Sequence, residues 1–338
     1  MMENYLFKSQ YHNKKISGST FLVTGGCGFI GSNIVEYLLR FDAGHVRVLD
    51  NLSNGYRDNI KDFLSYPNFE FIEGDIRDLQ TCRNALQGVD YVSHQAALGS
   101  VPRSIGDPVT SNAVNVDGFL NMLVAAKEVT TLKKFVYAAS SSTYGDSKDL
   151  PKVEGKEGKP LSPYAVTKLV NELYADVFSK CYSFHTIGLR YFNVFGPRQN
   201  PTNPYAAVIP LFMKCALDKR PPVIYGDGLT SRDFTFVGNA VQANIKALLD
   251  TDHIQQHEVY NIAVGGKTTL LDLWQIISGL GNCSGLKPAF KEERPGDVRA
   301  SLANITKAAK GFGYSPQFNS EEGLAITYKW YEQNLASL

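Results

Sequence analysis

The sequence predicts an α/β fold: a doubly wound parallel sheet with helices on both faces, joined to a smaller α/β lobe at the C-terminal end. Three observations carry this. Short apolar runs alternate with helix-spaced segments through the first half of the chain, the pattern of a buried parallel sheet. A glycine-rich turn links the first run to the first helix. The 338 residues exceed the roughly 250–300 at which a single core stops growing, which favours two lobes.

Residues 1–19 are polar and aromatic without a clear period and read as an N-terminal extension. Residues 20–24 form a short apolar run closed by glycines, the signature of a buried strand. Residues 30–40 then carry Ile30, Ile34, Tyr37 and Leu38 on one helical face. Residues 46–50, 69–73, 91–95, 135–139 and 185–190 read as further strands, with helical segments between most of them. Residues 20–194 are therefore expected to form the sheet domain. After residue 195 the alternation stops and prolines cluster at Pro197, Pro201, Pro204, Pro210, Pro221 and Pro222. Helices are predicted at 270–280 and 322–335. Residues 195–338 are expected to form the second lobe, with some segments returning to the first. No internal repeat or low-complexity tract is visible.

Lys and Arg total 34 and Asp and Glu 33, a formal net charge of +1. That balance argues against a nucleic-acid-coating surface, which needs a clear basic excess, but leaves room for one basic pocket. Cys27, Cys82, Cys181, Cys215 and Cys283 are odd in number and form no CxxC pair. They read as small core residues, and neither a disulfide framework nor a metal site is expected. No apolar run reaches the roughly 18 residues of a membrane span, and the N-terminal stretch does not resemble a signal peptide. A cytoplasmic protein is expected, with no nucleic-acid or membrane partner.

The chemistry begins at Gly25-Gly26-Cys27-Gly28-Phe29-Ile30-Gly31. Glycines here permit a tight turn and close approach of the backbone to a pyrophosphate. The following helix offers unpaired N–H groups and a partial positive charge. Asp50 ends the next strand about 19 residues later, placed to bond ribose hydroxyls and to repel a 2′-phosphate. A Rossmann-type domain binding NAD rather than NADP follows. Asp75 and Ile76 close the third strand; they suit the adenine ring, and Asp75 equally suits a helix cap.

Ser162-Pro163-Tyr164-Ala165-Val166-Thr167-Lys168 supplies a base. Pro163 suits a first helical turn, which puts Tyr164 and Lys168 at i, i+4 on one face. A phenol has a reference pKa of about 10, too high for a base at neutral pH. The lysine ammonium and a cationic nicotinamide are expected to lower it. Ser140, Ser141 and Ser142 gather at the end of the fifth strand, where this architecture binds ligands; a hydroxyl there can share a proton with Tyr164.

Together these motifs resemble the extended short-chain dehydrogenase/reductase family, and within it the nucleotide-sugar 4-epimerases, from Phe21 to about Tyr331. The stretches at residues 94–104, 138–145, 161–168 and 259–266 are similar to bacterial UDP-N-acetylglucosamine 4-epimerases of polysaccharide pathways. The resemblance implies Tyr164 as catalytic base, Lys168 as the lysine that also holds the nicotinamide ribose, and Ser140 as catalytic hydroxyl. It implies cofactor contacts at Gly25, Gly28, Phe29, Ile30, Gly31, Asp50, Asn51, Asp75, Ile76, Gln95, Ala96, Ala97 and Tyr191. It implies a UDP-sugar pocket of Ser100, Ser141, Ser142, Asn193, Ala207, Val208, Tyr225, Arg232, Arg294, Asp297, Arg299 and Ser301. Arg103 has two readings, a partner for a C6 carboxylate or a local cap. The resemblance also implies a homodimer through two helices of the sheet domain.

Ser301 aligns with a gate that is tyrosine in some UDP-galactose 4-epimerases. Serine there leaves room for a 2-acetamido group, since a close-packed wall does not absorb extra atoms cheaply. One departure is Ala300, at a position that is histidine in a close relative. The implied reaction has Tyr164 take the 4-hydroxyl proton as hydride leaves C4; the 4-keto sugar then turns about its diphosphate link and hydride returns to the other face. UDP-glucose and N-acetylglucosaminuronic acid epimerases are the near alternatives. A 4,6-dehydratase would need an Asp-Glu pair where Ser141 and Ser142 stand. A non-catalytic NAD-sensing protein is the alternative of another class, and such proteins often lack the tyrosine–lysine pair.

Overall fold

The computed structural model describes residues 6–202, 206–293 and 299–334. Its centre is a parallel sheet of seven strands. Six are β1 (Thr20–Thr24), β2 (His45–Asp50), β3 (Phe69–Glu73), β4 (Tyr91–His94), β5 (Lys134–Ser140) and β6 (Thr186–Tyr191). The spatial order is β3-β2-β1-β4-β5-β6, with the strand Glu258–Ile262 added beside β6. β1 pairs with both β2 and β4, so the winding reverses there. The carboxyl ends of strands at such a reversal are where ligands bind.

Alternate residues of each strand enter two different cores, which is why the strands read as continuous apolar runs. Val23, Val48 and Val136 face one core with Ile34 and Leu38, whereas Leu22, Leu49 and Phe135 face the other with Phe119 and Leu123. The helices between strands are α1 (Phe29–Arg40), α2 (Leu79–Ala85), α3 (Val101–Gly106), α4 (Pro108–Asn112), α5 (Gly118–Ala126) and α6 (Pro163–Tyr182). Ser162 caps α6 by accepting the Ala165 N–H at 3.2 Å, and Pro163 begins its first turn.

The chain after residue 195 forms α7 (Val208–Leu217), α8 (Val237–Leu249), α9 (Leu270–Leu280), α10 (Thr306–Phe312) and α11 (Ser320–Asn334). It divides its work. α8 packs on α1, β4, β5 and β6, and Glu258–Ile262 extends the sheet. The rest builds the second lobe, where α7 and α11 pack on α9 beside three two-stranded patches. The patches pair Val194–Phe195 with Thr235–Phe236, Ser231–Arg232 with Thr268–Thr269, and Val223–Tyr225 with Ala289–Lys291.

The extension is a docked arm over its described residues. Leu6, Phe7, Tyr11 and Ile16 are buried. The Tyr11 ring stacks on Tyr37 of α1 at 5.0 Å, and Lys8 meets Glu322 of α11 at 2.9 Å. No period announced this, because aromatic anchors on irregular backbone have none. Among the described residues, no helix is long and apolar enough to cross a membrane.

Candidate active site

A continuous cleft lies over the carboxyl ends of the strands. It consists of three adjoining cavities of ≈ 80, ≈ 450 and ≈ 490 Å³. Gly25, Gly28, Gln95 and Ala97 border both the first and the second. Asn193, Val194, Ala206 and Ala207 border both the second and the third.

The glycine turn forms the wall at one end. Gly25 has φ +66, and a Cβ there would sit 2.7 Å from the Ala96 nitrogen. A Cβ on Gly31 would sit 2.2 Å from the Gly25 oxygen. Only glycine lets this turn fold so tightly against β4 and α1. Gly28 caps α1 without any side-chain bond, so the first-turn N–H groups face the cleft rather than a capping side chain. Asp50 is buried, and its carboxylate accepts N–H bonds from Cys27 at 2.9 Å and Leu52 at 2.8 Å. Burial pushes its carboxyl up and the two amides pull it back. A backbone cradle with bare helix-terminal donors and a carboxylate at its far end fits a dinucleotide.

Asn51, Asp75 and Ile76 line the small cavity with Asp50, Ala96 and Ala97. Asp75 does not cap α2. Asp78 does, accepting the Thr81 N–H at 3.0 Å. The Asp75 carboxylate instead bonds Arg77 at 2.7 Å and Asn51 at 2.8 Å, which holds it down at about 2.

Tyr164, Lys168 and Ser140 meet in the middle cavity beside Phe29, Ile30, Ser100, Arg103 and Tyr191. Ser142 donates its N–H to the Ser140 oxygen at 3.1 Å and its O–H at 2.9 Å. The Ser140 hydroxyl beside the Tyr164 phenol favours phenolate. One expectation needs correcting. Burial outweighs every other influence on Tyr164 and raises its phenol, and the opposing pull comes from Ser140 rather than from the Lys168 ammonium. The reason lies in Lys168, which donates to the Ala138 carbonyl at 2.7 Å and is itself lowered to about 8 by burial. Glu172, one turn along α6, partly restores it.

Gln95 and Tyr191 belong to a buried amide network. Tyr191 donates to the Gln95 side-chain oxygen at 3.1 Å, and Asn244 of α8 donates to the Tyr191 hydroxyl at 2.7 Å. Gln95 in turn donates to Asn244 and Ser93, each at 3.0 Å. Their side chains brace the cavity wall together. Ser100, at φ 98, and Asn193, at φ 39, hold strained backbone beside the same cavity.

Ala207, Val208, Tyr225 and Arg232 line the third cavity with apolar Phe212, Ile224 and Leu270. Ser141 and Ser142 are half-buried in the turn after β5 and border none of the three cavities. Ser301 follows the bridge between Ala300 and Ser231, its N–H on the Ser231 carbonyl at 3.1 Å. Arg299 is placed differently from expectation. It is exposed and ion-paired with Asp227 at 2.6 Å, drawn off the cleft by that carboxylate. Arg294 and Asp297 lie outside the described residues. Arg103 bonds the Asn54 side chain at 3.0 Å while lining the middle cavity. Sequence reasoning missed Asn54, Tyr56, Arg198 and Gln199 of the cavity walls, and Asn244 behind them. None sits in a motif; only the proline cluster around Pro197 hinted that the chain turns there.

The sequence matches the NAD dependent epimerase/dehydratase family over residues 21–263. It is 35% identical over 315 residues to a putative UDP-glucose 4-epimerase of Methanocaldococcus jannaschii, covering 93% of this chain and 98% of that one. The solved structure of a UDP-N-acetylglucosamine 4-epimerase from Methanobrevibacter ruminantium, in complex with UDP-N-acetylmuramic acid, superposes with a TM-score of 0.87 at 39% identity. That likeness covers 94% of this chain and 99% of the other. A UDP-glucuronic acid 4-epimerase from Bacillus cereus, with UDP-glucuronic acid and NAD, gives a TM-score of 0.85 at 32% identity over 93% and 99% of the two chains.

Proposed function

Because this chain belongs to the NAD-dependent epimerase/dehydratase family, we propose that it inverts C4 of UDP-N-acetylhexosamines, interconverting UDP-GlcNAc and UDP-GalNAc. It is an enzyme of the UDP-sugar 4-epimerase kind with NAD as cofactor; the N-acetylated sugar is the finer reading. One observation carries it. Tyr164, Ser140 and Lys168 converge in the cavity that joins the dinucleotide cradle to the second-lobe pocket.

NAD bound in this cradle would supply a hydride acceptor and donor for the sugar C4 and a cationic ring that favours the Tyr164 phenolate. Gly25, Gly28, the first turn of α1 and Asp50 would hold it. The Tyr164 oxygen accepts the 4-hydroxyl proton and later returns it, with the Ser140 hydroxyl steadying the phenolate. Lys168 keeps positive charge beside the exchange. Asn193 stands at the junction of the two larger cavities, and Arg232 and Tyr225 offer a cation and a ring to a uridine diphosphate. Gly99, Ser100, Ala206 and Ala207 keep the middle cavity wide enough for a keto sugar to turn over. Small Ser301 on the loop beside Arg232 supports an N-acetyl group, as does the likeness to the UDP-N-acetylglucosamine 4-epimerase. Arg103 in the middle cavity favours a uronic acid as the second reading, by pairing a C6 carboxylate.

We place the homodimer on α6, where Val166, Leu173 and Val177 form an exposed apolar stripe, and the enzyme in the cytoplasm, which suits its free cysteines. Incubation with UDP-GlcNAc, UDP-Glc and UDP-GlcNAcA separately, with chromatographic resolution of the C4 epimers, tests the substrate. The highest kcat/KM is expected for UDP-GlcNAc; a higher value for either other sugar replaces the reading.

A further inference from the structure

Asp233 follows Arg232 in the second lobe and is fully buried. Its carboxylate gathers backbone N–H groups from two separate loops. Oδ1 accepts from Val264 at 3.2 Å, and Oδ2 accepts from Gly265 at 3.1 Å and Ala303 at 3.2 Å. Its own carbonyl accepts from the Asn193 side chain at 3.0 Å. Among the described residues it has no ion-pair partner, so the amides stand in for a counter-ion.

A buried charge is costly unless it is hydrogen-bonded, and here the backbone amides of two loops supply those bonds. What the charge achieves is convergence. The loop at residues 264–266, the loop at residues 301–303 and the strained Asn193 are all referred to one residue. Residues 299–301 also run along Ser231, with the Ser231 N–H on the Arg299 carbonyl at 3.0 Å and the Ser301 N–H on the Ser231 carbonyl at 3.1 Å. Asn193 borders both larger cavities, and Arg232 borders the largest.

We propose that Asp233 is a positioning residue that sets the sugar-binding wall, fixing the Ser301 loop against Asn193 and thereby deciding how the pocket ranks UDP-sugars by their C2 substituent. This rests on the reading of the cleft as a UDP-sugar site. An amide cannot replace the carboxylate. It offers one accepting oxygen where two are used, and turns an N–H₂ toward N–H donors. Asp233→Asn therefore releases at least one loop while keeping the volume.

The test compares wild type and Asp233→Asn on UDP-GlcNAc and UDP-Glc. The expected result is kcat within about threefold, KM for UDP-GlcNAc raised about tenfold, and the kcat/KM ratio between the sugars reduced about fivefold or more. Loss of melting temperature with an unchanged sugar ratio would make Asp233 scaffold only and overturn the proposal. Amide hydrogen exchange in the wild-type protein supplies a measurement that needs no variant. UDP-GlcNAc is expected to slow Val264, Gly265 and Ala303 together, and beyond the effect of UDP. Equal protection by UDP and UDP-GlcNAc also overturns it. Should wild type turn over UDP-Glc and UDP-GlcNAcA but not UDP-GlcNAc, the N-acetylhexosamine reading fails while the Asp233 ratio is read on that pair, where it must still shift.

Discussion

At the dinucleotide end of the cleft, Gly25, Gly28 and Gly31 come from one short turn and present backbone to the ligand. At the other end, Asn193, Phe212, Tyr225, Arg232 and Leu270 come from five separate segments and present side chains. The first wall is fixed by what is missing, a Cβ; the second by what each loop delivers. The first should therefore fail abruptly when altered and the second by degrees.

The seam between them should be most sensitive. Tyr164→Phe is expected to lower kcat on the order of 10³-fold in a coupled epimerase assay, with NAD and UDP binding unchanged. A variant at wild-type rate would remove the proposed base. Next comes Gly31→Ala, whose methyl group must displace the Gly25 carbonyl. It should destabilise by about 1–3 kcal/mol and release NAD, read from melting temperature and the bound-nucleotide absorbance of purified protein. Retained NAD and an unshifted melt would break the contrast.

Arg232→Met in the side-chain wall should raise KM for the UDP-sugar by about tenfold to a hundredfold, with little change in kcat and full NAD content. Loss of NAD instead would mean that the two ends are not separable. pH offers a smaller and signed effect. Lys168 is held at about 8 against an ordinary 10.5. Between those values the unfolded chain binds a proton that the folded chain has released, so stability should rise with pH across that window. Activity should fall across it as the ammonium is lost. Melting temperature against pH, compared with Lys168→Met, checks the first, since that variant should lack the rise. Arg299→Ala should do least: KM is expected to change by less than about twofold, because an exposed pair with Asp227 contributes little. A large KM increase would put Arg299 back in the pocket.

The same contrast explains what could be read from sequence. The glycine turn, Asp50, Ser140 and the Tyr164–Lys168 pair each lie in a local motif whose spacing encodes its geometry. The strand order follows from βα alternation. Asn244 was illegible because it acts across the fold, from a helix that returns to the sheet after a proline-rich excursion. Arg198 was illegible because its pairing with Glu36 of α1 at 2.5 Å joins residues 162 positions apart. Burial, which no motif records, raises the Tyr164 phenol, and Ser140 rather than Lys168 opposes it.

The N-terminal arm carries a consequence for the order of assembly. Lys8 meets Glu322 across 314 positions of chain, and the Gln317 carbonyl across 309. The arm is made well before its seat on α11. Phe7 and Tyr11 can reach Tyr37 early, but the seam to α11 must close after the rest of the chain exists. The arm thus acts as a clasp joining α1 to α11, two elements far apart along the chain.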